Sequence, residues 1–297
     1  SIVQIYLPQN LGLCSGINKE FFLKANRLHE VRVMYYDVVI FDAASVALGI
    51  ASELKKKRKV LIVNRTSMVA AEFINSYKPG RNWEEEPETD LAKSIAEKLR
   101  AERLITERAA HFYAAGPVFY KAYSDLGVDL LLETEILSVE KAGSAFEITI
   151  YNCAGFGTVK TPFIIDTTDE GFCQEKSLNC LLVNKDKAAV FPAVSMQGAD
   201  FFPTHDEIVN SVIMRYHCPP DASLAEARHG LIELWQGRPE VLSDWKIASI
   251  GLYFDITPRA VQEVGQTKCI IPASSYDNPL AAVDAGVKVG RRLADDL

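Results

Sequence analysis

The residues best placed to do chemistry are Asp42, Ala44, Ser45 and Ala47. They lie in the segment Asp-Ala-Ala-Ser-Val-Ala, which joins the apolar run Val38-Val39-Ile40-Phe41 to an amphipathic stretch from Ser45 to Lys57. A buried strand, a helix and then a second strand, Lys59 to Val63, make a βαβ unit of the length that dinucleotide folds use. At the turn after such a first strand the helix N-terminus collects phosphate groups, because its first N–H groups have no partner inside the helix. The usual turn reads G-x-G-x-x-G: the first glycine makes the tight turn, the second lets backbone approach the pyrophosphate, and the third lets helix and strand pack closely. Here those positions hold Asp42, Ala44 and Ala47. A methyl at Ala44 or Ala47 only weakens the approach. A carboxylate at Asp42, partly desolvated, repels a pyrophosphate about as strongly as the helix N-terminus attracts it. The competing reading, which we take as the expectation, is that Asp42 caps the helix with no nucleotide present.

Other candidates are weaker. His205, Asp206, His217, Cys218 and His229 have metal-ligating side chains, but their spacings match no zinc pattern, and we expect no metal. The sequence contains no Ser-His-Asp signature, nucleophile elbow or P-loop, so hydrolase and nucleotide-triphosphatase chemistry has no support. Six cysteines spread through the chain, without a C-x-x-C pair, read as mostly buried thiols in a reducing compartment.

The elements that must position the turn follow from pattern and composition. The 297 residues are 48% hydrophobic and 24% charged, enough for one large domain or two unequal ones. Net charge is −7 and the basic residues are scattered, so no nucleic-acid-binding face is expected; Lys55 to Lys59 reads as a solvated helix end. The apolar runs are too short for a membrane helix, and the first residues show no signal-peptide pattern, so we expect a cytoplasmic protein. Residues 1–35 read as a strand with an irregular lead-in. A polar loop over 79–90 ends in Thr89 or Asp90 as the cap of a helix running to about Arg108. Val118 to Leu126 reads as helix and Val128 to Leu132 as strand. Ile136 to Glu140, Phe146 to Tyr151 and Gly157 to Lys160 form a β-meander that leads to the strand Phe163 to Asp166. Mixed strands and a helix, Leu224 to Gln236, follow. The chain closes on a helix opened by Pro279.

This order of elements resembles the FAD-dependent oxidoreductases of the glutathione-reductase-like type. The resemblance covers 36–175 and 267–297, and it implies a Rossmann-like, three-layer α/β FAD/NAD(P)-binding domain with a β-meander. Residues 176–266 are then a smaller α+β substrate-type domain, and 1–35 a lead-in. Strands Val38 to Phe41, Lys59 to Val63, Val128 to Leu132 and Phe163 to Asp166 should lie side by side and parallel in one sheet. The resemblance places Asn64, followed by Arg65, where the family has an acidic residue for the adenosine ribose, and Val69-Ala70 where it has a second glycine pair. Asp166-Thr167-Thr168-Asp169-Glu170-Gly171 resembles the family's D-A-T-G-x-G segment, with Asp169 at the inner glycine. Asp277-Asn278-Pro279 resembles the segment that presents an acid and a helix N-terminus to the flavin. Tyr253, Asp255 and Arg259 are candidates to face a flavin ring, though a Tyr and an Asp alternating along a strand are also simply one face of a sheet. Three functions remain open. The first is a scaffold or subunit, in a homo- or hetero-oligomer, that has lost autonomous flavin binding. The second is an active FAD-dependent oxidoreductase acting on a small molecule, and the third a Rossmann-like protein with a different ligand. FAD is the one cofactor implied, and the first reading implies none.

Overall fold

The computed structural model describes residues 32–169, 171, 173–259, 263–264 and 267–297. The expected alternating strand near the start of the chain lies outside these residues. The central sheet is built from short strands, of which β2 (Val38–Phe41), β3 (Val60–Val63) and β8 (Phe163–Asp166) are apolar and rich in β-branched residues, and β4 (Asp129–Leu131), β14 (Glu263–Val264) and β15 (Lys268–Ile270) complete it. Their order is β14-β15-β8-β2-β3-β4, with β15, β8, β2, β3 and β4 mutually parallel, so the four expected strands are neighbours in one sheet.

Alternation along these strands separates two cores. Val38, Ile40, Val60, Ile62, Phe163 and Ile165 face helices α1 (Ser45–Leu54), α3 (Asp90–Ala101), α4 (Gly116–Leu126) and α6 (Pro279–Asp296). Val39, Phe41, Leu61, Val63 and Ile164 face the other way, onto Ile148, Ile150 and Val159. Those three belong to the antiparallel meander β5 (Glu135–Ala142), β6 (Ala145–Asn152) and β7 (Gly155–Thr161), whose outer strand β1 (Arg32–Tyr35) runs parallel beside β7. A strand with both faces covered must be apolar throughout, and β2 and β3 are fully buried.

A second sheet has the order β10-β11-β9-β12, from Ala199–Pro203, Ser211–Cys218, Cys173–Asn184 and Trp245–Ile250, and β13 (Asp255–Pro258) also pairs with β9. Helix α5 (Leu224–Gln236) starts with a capping box between Ser223 and Glu226 and buries Ala227, Leu231 and Trp235 against Leu178, Cys180 and Met214.

Two readings need correction. α3 ends at Ala101 rather than near Arg108, because Arg103 takes a left-handed conformation (φ 54°) and the Leu104 N–H turns back to Leu99 O. Among the described residues the cysteines are less buried than expected: Cys180 and Cys269 are buried, Cys153 is exposed, and Cys173 and Cys218 lie between, while Cys14 lies outside the described residues.

Helices α1 and α6 cross with their backbones touching. A Cβ on Gly286 would lie 2.2 Å from Val46 O, and one on Gly49 2.2 Å from Val283 O. An exposed helical Gly→Ala change normally adds stability. Here we expect Gly286→Ala to cost about 1–3 kcal/mol through overpacking, read by urea unfolding. Unchanged or raised stability would contradict the close crossing.

Candidate functional site

Parallel register gathers the candidate residues on one edge of the central sheet. Phe41 is level with Val63 and with Asp166, and Asp166 is level with Ile270. Asp42, Asn64, the loop after Asp166 and the loop after Ile270 therefore all leave the sheet at its carboxyl edge, where open α/β sheets bind ligands.

The turn after β2 keeps a left-handed residue where the glycine pattern has its first glycine: Asp42 has φ 77°. Asp and Asn tolerate this conformation better than other side chains, at a cost glycine avoids. The cap expectation is corrected here. The N-cap of α1 is Ala44, two residues on, and no side chain of the cap residue closes the helix. The Ser45 N–H donates instead to Oε1 of Glu72, at 2.7 Å. Glu72 belongs to a single helical turn, α2 (Ala71–Ile74), entered through Ala70 at φ 51°. The Ala70 N–H donates to Ala43 O, which folds the loop after β3 over the phosphate-type turn. Ala44 and Ala47 are wholly buried, and the Tyr123 hydroxyl donates to Ala44 O.

Glu72 is 7% exposed. Burial first, and then the facing Asp42 carboxylate, push its carboxyl from an ordinary 4.5 up to about 8. The same surroundings, burial ahead of Glu72 and Asp42, hold the Tyr123 phenol well above its usual range. Glu72 Oε2 and Ser45 Oγ are buried without a hydrogen bond of good geometry. Sequence reasoning missed Glu72. The signal was an acid two residues past Val69-Ala70.

Around this centre each expected residue is engaged by the chain itself. The Asn64 amide donates to Thr66 O (3.0 Å) and Met68 O (2.6 Å), and Arg65 pairs with Glu135 at 2.9 Å. Asp166 accepts from the Thr168 N–H and hydroxyl and lies 3.2 Å from Lys268 Nζ. Asp169 accepts from the Ser274 N–H (3.0 Å) and hydroxyl (2.6 Å), joining the two loops that leave β8 and β15; burial raises its carboxyl above the usual range. Asp277 accepts from the Arg81 guanidinium (2.6 Å) and the Asn82 amide (2.8 Å), while Asn278 Oδ1 caps α6 by accepting from the Ala281 N–H. Gly80, at φ 68°, permits that clamp, since a Cβ there would lie 2.7 Å from the Trp83 ring.

Of the ring-facing candidates, Tyr253 is half-buried near Thr66 and Asp42. Asp255 is buried and accepts from Arg215 (2.7 Å) and the Asn179 amide (3.1 Å), with Lys78 Nζ at 3.7 Å. Arg259 is exposed. The histidines disperse: His217 pairs with Asp200, His229 with Glu233, and His205 is buried. Among the described residues no three His, Cys, Asp or Glu side chains converge on a metal position, and no helix is long and apolar enough to cross a membrane.

Two outcomes follow. The Asp42 carboxylate helps to raise the Glu72 carboxyl, so Asp42→Asn should bring its midpoint down from about 8 in an NMR titration; an unmoved midpoint would contradict the facing of the two carboxyls. Between an unfolded value of 4.5 and a folded value of about 8, the folded chain keeps a proton on Glu72 that the unfolded chain has released. Stability contributed at this position therefore falls as pH rises through that window, by up to ~1.4 kcal/mol per pH unit. Glu72→Gln should remove this slope and gain on the unaltered chain as pH rises. Parallel pH profiles of the two proteins would contradict the assignment.

No protein-family model and no curated protein matches the sequence. Solved structures do match its fold. p-Nitrophenol 4-monooxygenase PnpA from Pseudomonas putida DLL-E4 matches with TM-score 0.57 and 13% identity over 89% of this chain and 79% of its own. Anhydrotetracycline hydroxylase OxyS from Streptomyces rimosus gives 0.58 and 14% over 88% and 63%, and aklavinone-11 hydroxylase, solved with FAD and aklavinone, 0.55 and 13% over 90% and 62%. The chain thus spans less than two thirds of the length of the two hydroxylases. The strand order, the meander over one face of the sheet and these matches together give one conclusion: this chain has the fold of the FAD-dependent oxidoreductases.

Proposed function

We propose that this chain is a scaffold or subunit with the architecture of an FAD-dependent oxidoreductase that does not bind flavin by itself. The observation that carries this reading is the Glu72 carboxyl on the Ser45 N–H, the position where a dinucleotide fold of this type receives pyrophosphate. In the arrangement they adopt, the residues do not fit that group. A pyrophosphate would have to displace a buried side chain and then sit beside Asp42, a carboxylate in place of a neutral turn.

Two further contacts support the same reading. The resemblance assigns flavin contacts to the segments of Asp169 and Asp277, and both carboxylates are already engaged, by Ser274 and by Arg81 with Asn82. Asn64, at the ribose position, spends its amide donors on its own loop. A chain that satisfies these groups internally folds without a cofactor, which suits a structural role within an oligomer.

Titration calorimetry of the purified chain with FAD tests the proposal. No saturable binding at micromolar concentration is the expected result. Stoichiometric binding, with flavin absorption retained through gel filtration, would decide for an active FAD-dependent oxidoreductase acting on a small molecule.

A further inference from the structure

We propose that His111 and His205 form an acid-released clasp: while both rings are neutral they hold the β10–β11 loop of the second sheet against the α3–α4 loop, and they let it go on taking up protons. The clasp operates whether or not the chain binds flavin.

The loop after α3 is folded back on itself by an isolated antiparallel bridge between Ile105 and Ala110, and by the His111 N–H on Leu104 O. The loop after β10 turns through the Ile208 N–H on His205 O. The Thr106 hydroxyl donates to Asp206 across the two loops at 2.6 Å, an exposed contact. Beside it the Tyr113 hydroxyl reaches Ser211 at the start of β11, and His205 stands close enough to His111 to oppose a charge on it. The His111 ring lies against the Tyr113 ring, with centroids 4.3 Å apart, and Tyr77 packs on Tyr113 in turn at 5.5 Å.

His205 is the buried member, 4% exposed. Its Nδ1 accepts the Glu207 N–H at 3.2 Å, so the neutral ring carries its proton on Nε2, which is buried without an acceptor. A second proton has only Nδ1 to go to. There it ends the bond to Glu207 and leaves a charged ring in a buried place beside another imidazole. Burial first, and then the facing His205 ring, hold His111 below its ordinary value of 6.5. When the loops part, the ring returns to that value, so below pH 6.5 the open form takes up a proton that the closed form resists. The closed form is therefore favoured at higher pH and loses ground as pH falls through that point. The charged side chains of the two loops are Glu102, Arg103, Glu107 and Arg108 on one and Asp206 and Glu207 on the other, and Tyr113 and Tyr77 are the other titratable groups at the contact. Among the described residues the histidines paired with a carboxylate are His217 and His229, so no such pair holds a proton on either ring of the clasp.

Amide hydrogen exchange of the full chain, followed by NMR from about pH 7.5 to about pH 5 and corrected for the intrinsic pH dependence of exchange, tests the clasp. The Glu207, Ile208 and His111 amides should exchange at least about ten-fold faster at the acid end, while Ile213 in the second sheet and Ile40 in the central sheet keep their protection. His111→Phe keeps a ring on Tyr113, and His205→Asn keeps an acceptor for the Glu207 N–H, yet neither new side chain takes a proton. The double variant should hold its loops equally at both ends of the range. Loops of the unaltered chain that stay protected at the acid end overturn the proposal. So do loops that open only together with the central sheet, or that open to the same extent in the folded double variant. Should that variant not fold, the imidazole C–H resonances of the unaltered chain decide: protonation of His111 and His205 should share its midpoint with the opening of the loops, and opening without a change at these two rings overturns the proposal.

Discussion

The first N–H of a buried helix must find an acceptor, and in this chain it finds Glu72. Much of the local structure is organised around that bond. The loop after β3 returns to the turn after β2, with Ala70 bonded to Ala43, so that a single helical turn can deliver the carboxyl. The Asn64 amide holds the bend of that loop through Thr66 and Met68, and Tyr123 fastens α4 to the carbonyl of Ala44. A carboxyl held above its usual titration range closes the helix largely in its neutral form near pH 7, which avoids placing a second full charge against Asp42.

Further carboxylates are engaged by the chain's own groups at the other end of the sheet edge. Asp169 links the loops after β8 and β15 through Ser274, and Lys78 extends the link by donating to Ser274 O while lying beside Asp255. Asp255 in turn holds Arg215 and Asn179 of the second sheet. Removing one member of such a buried network leaves a charge unpaired, which is far costlier than losing an exposed pair. The carboxyl edge is thereby joined to the second sheet.

The central sheet was legible in the sequence because its evidence is local: β2, β3 and β8 are apolar β-branched runs, and α6 carries Pro279 in its first turn. Parallel register then brings Asp42, Asn64 and Asp166 to one edge with no further information. Glu72 was not legible, because its partner is 27 residues away and its placement depends on a left-handed Ala70 that no residue type announces. Asp42 misled for a related reason. Its side chain suits a cap, but its backbone is the turn itself, and the cap falls at Ala44. The glycines that govern close packing lie elsewhere, at Gly49 and Gly286, where two distant helices meet.

A crystal structure of the chain grown in excess FAD tests the central claim most directly, because it shows which acceptor the Ser45 N–H chooses. The expected density has the Glu72 carboxyl within hydrogen-bonding distance of that N–H and no nucleotide at the carboxyl edge of the sheet. A flavin pyrophosphate on Ser45, with Glu72 displaced, would contradict it.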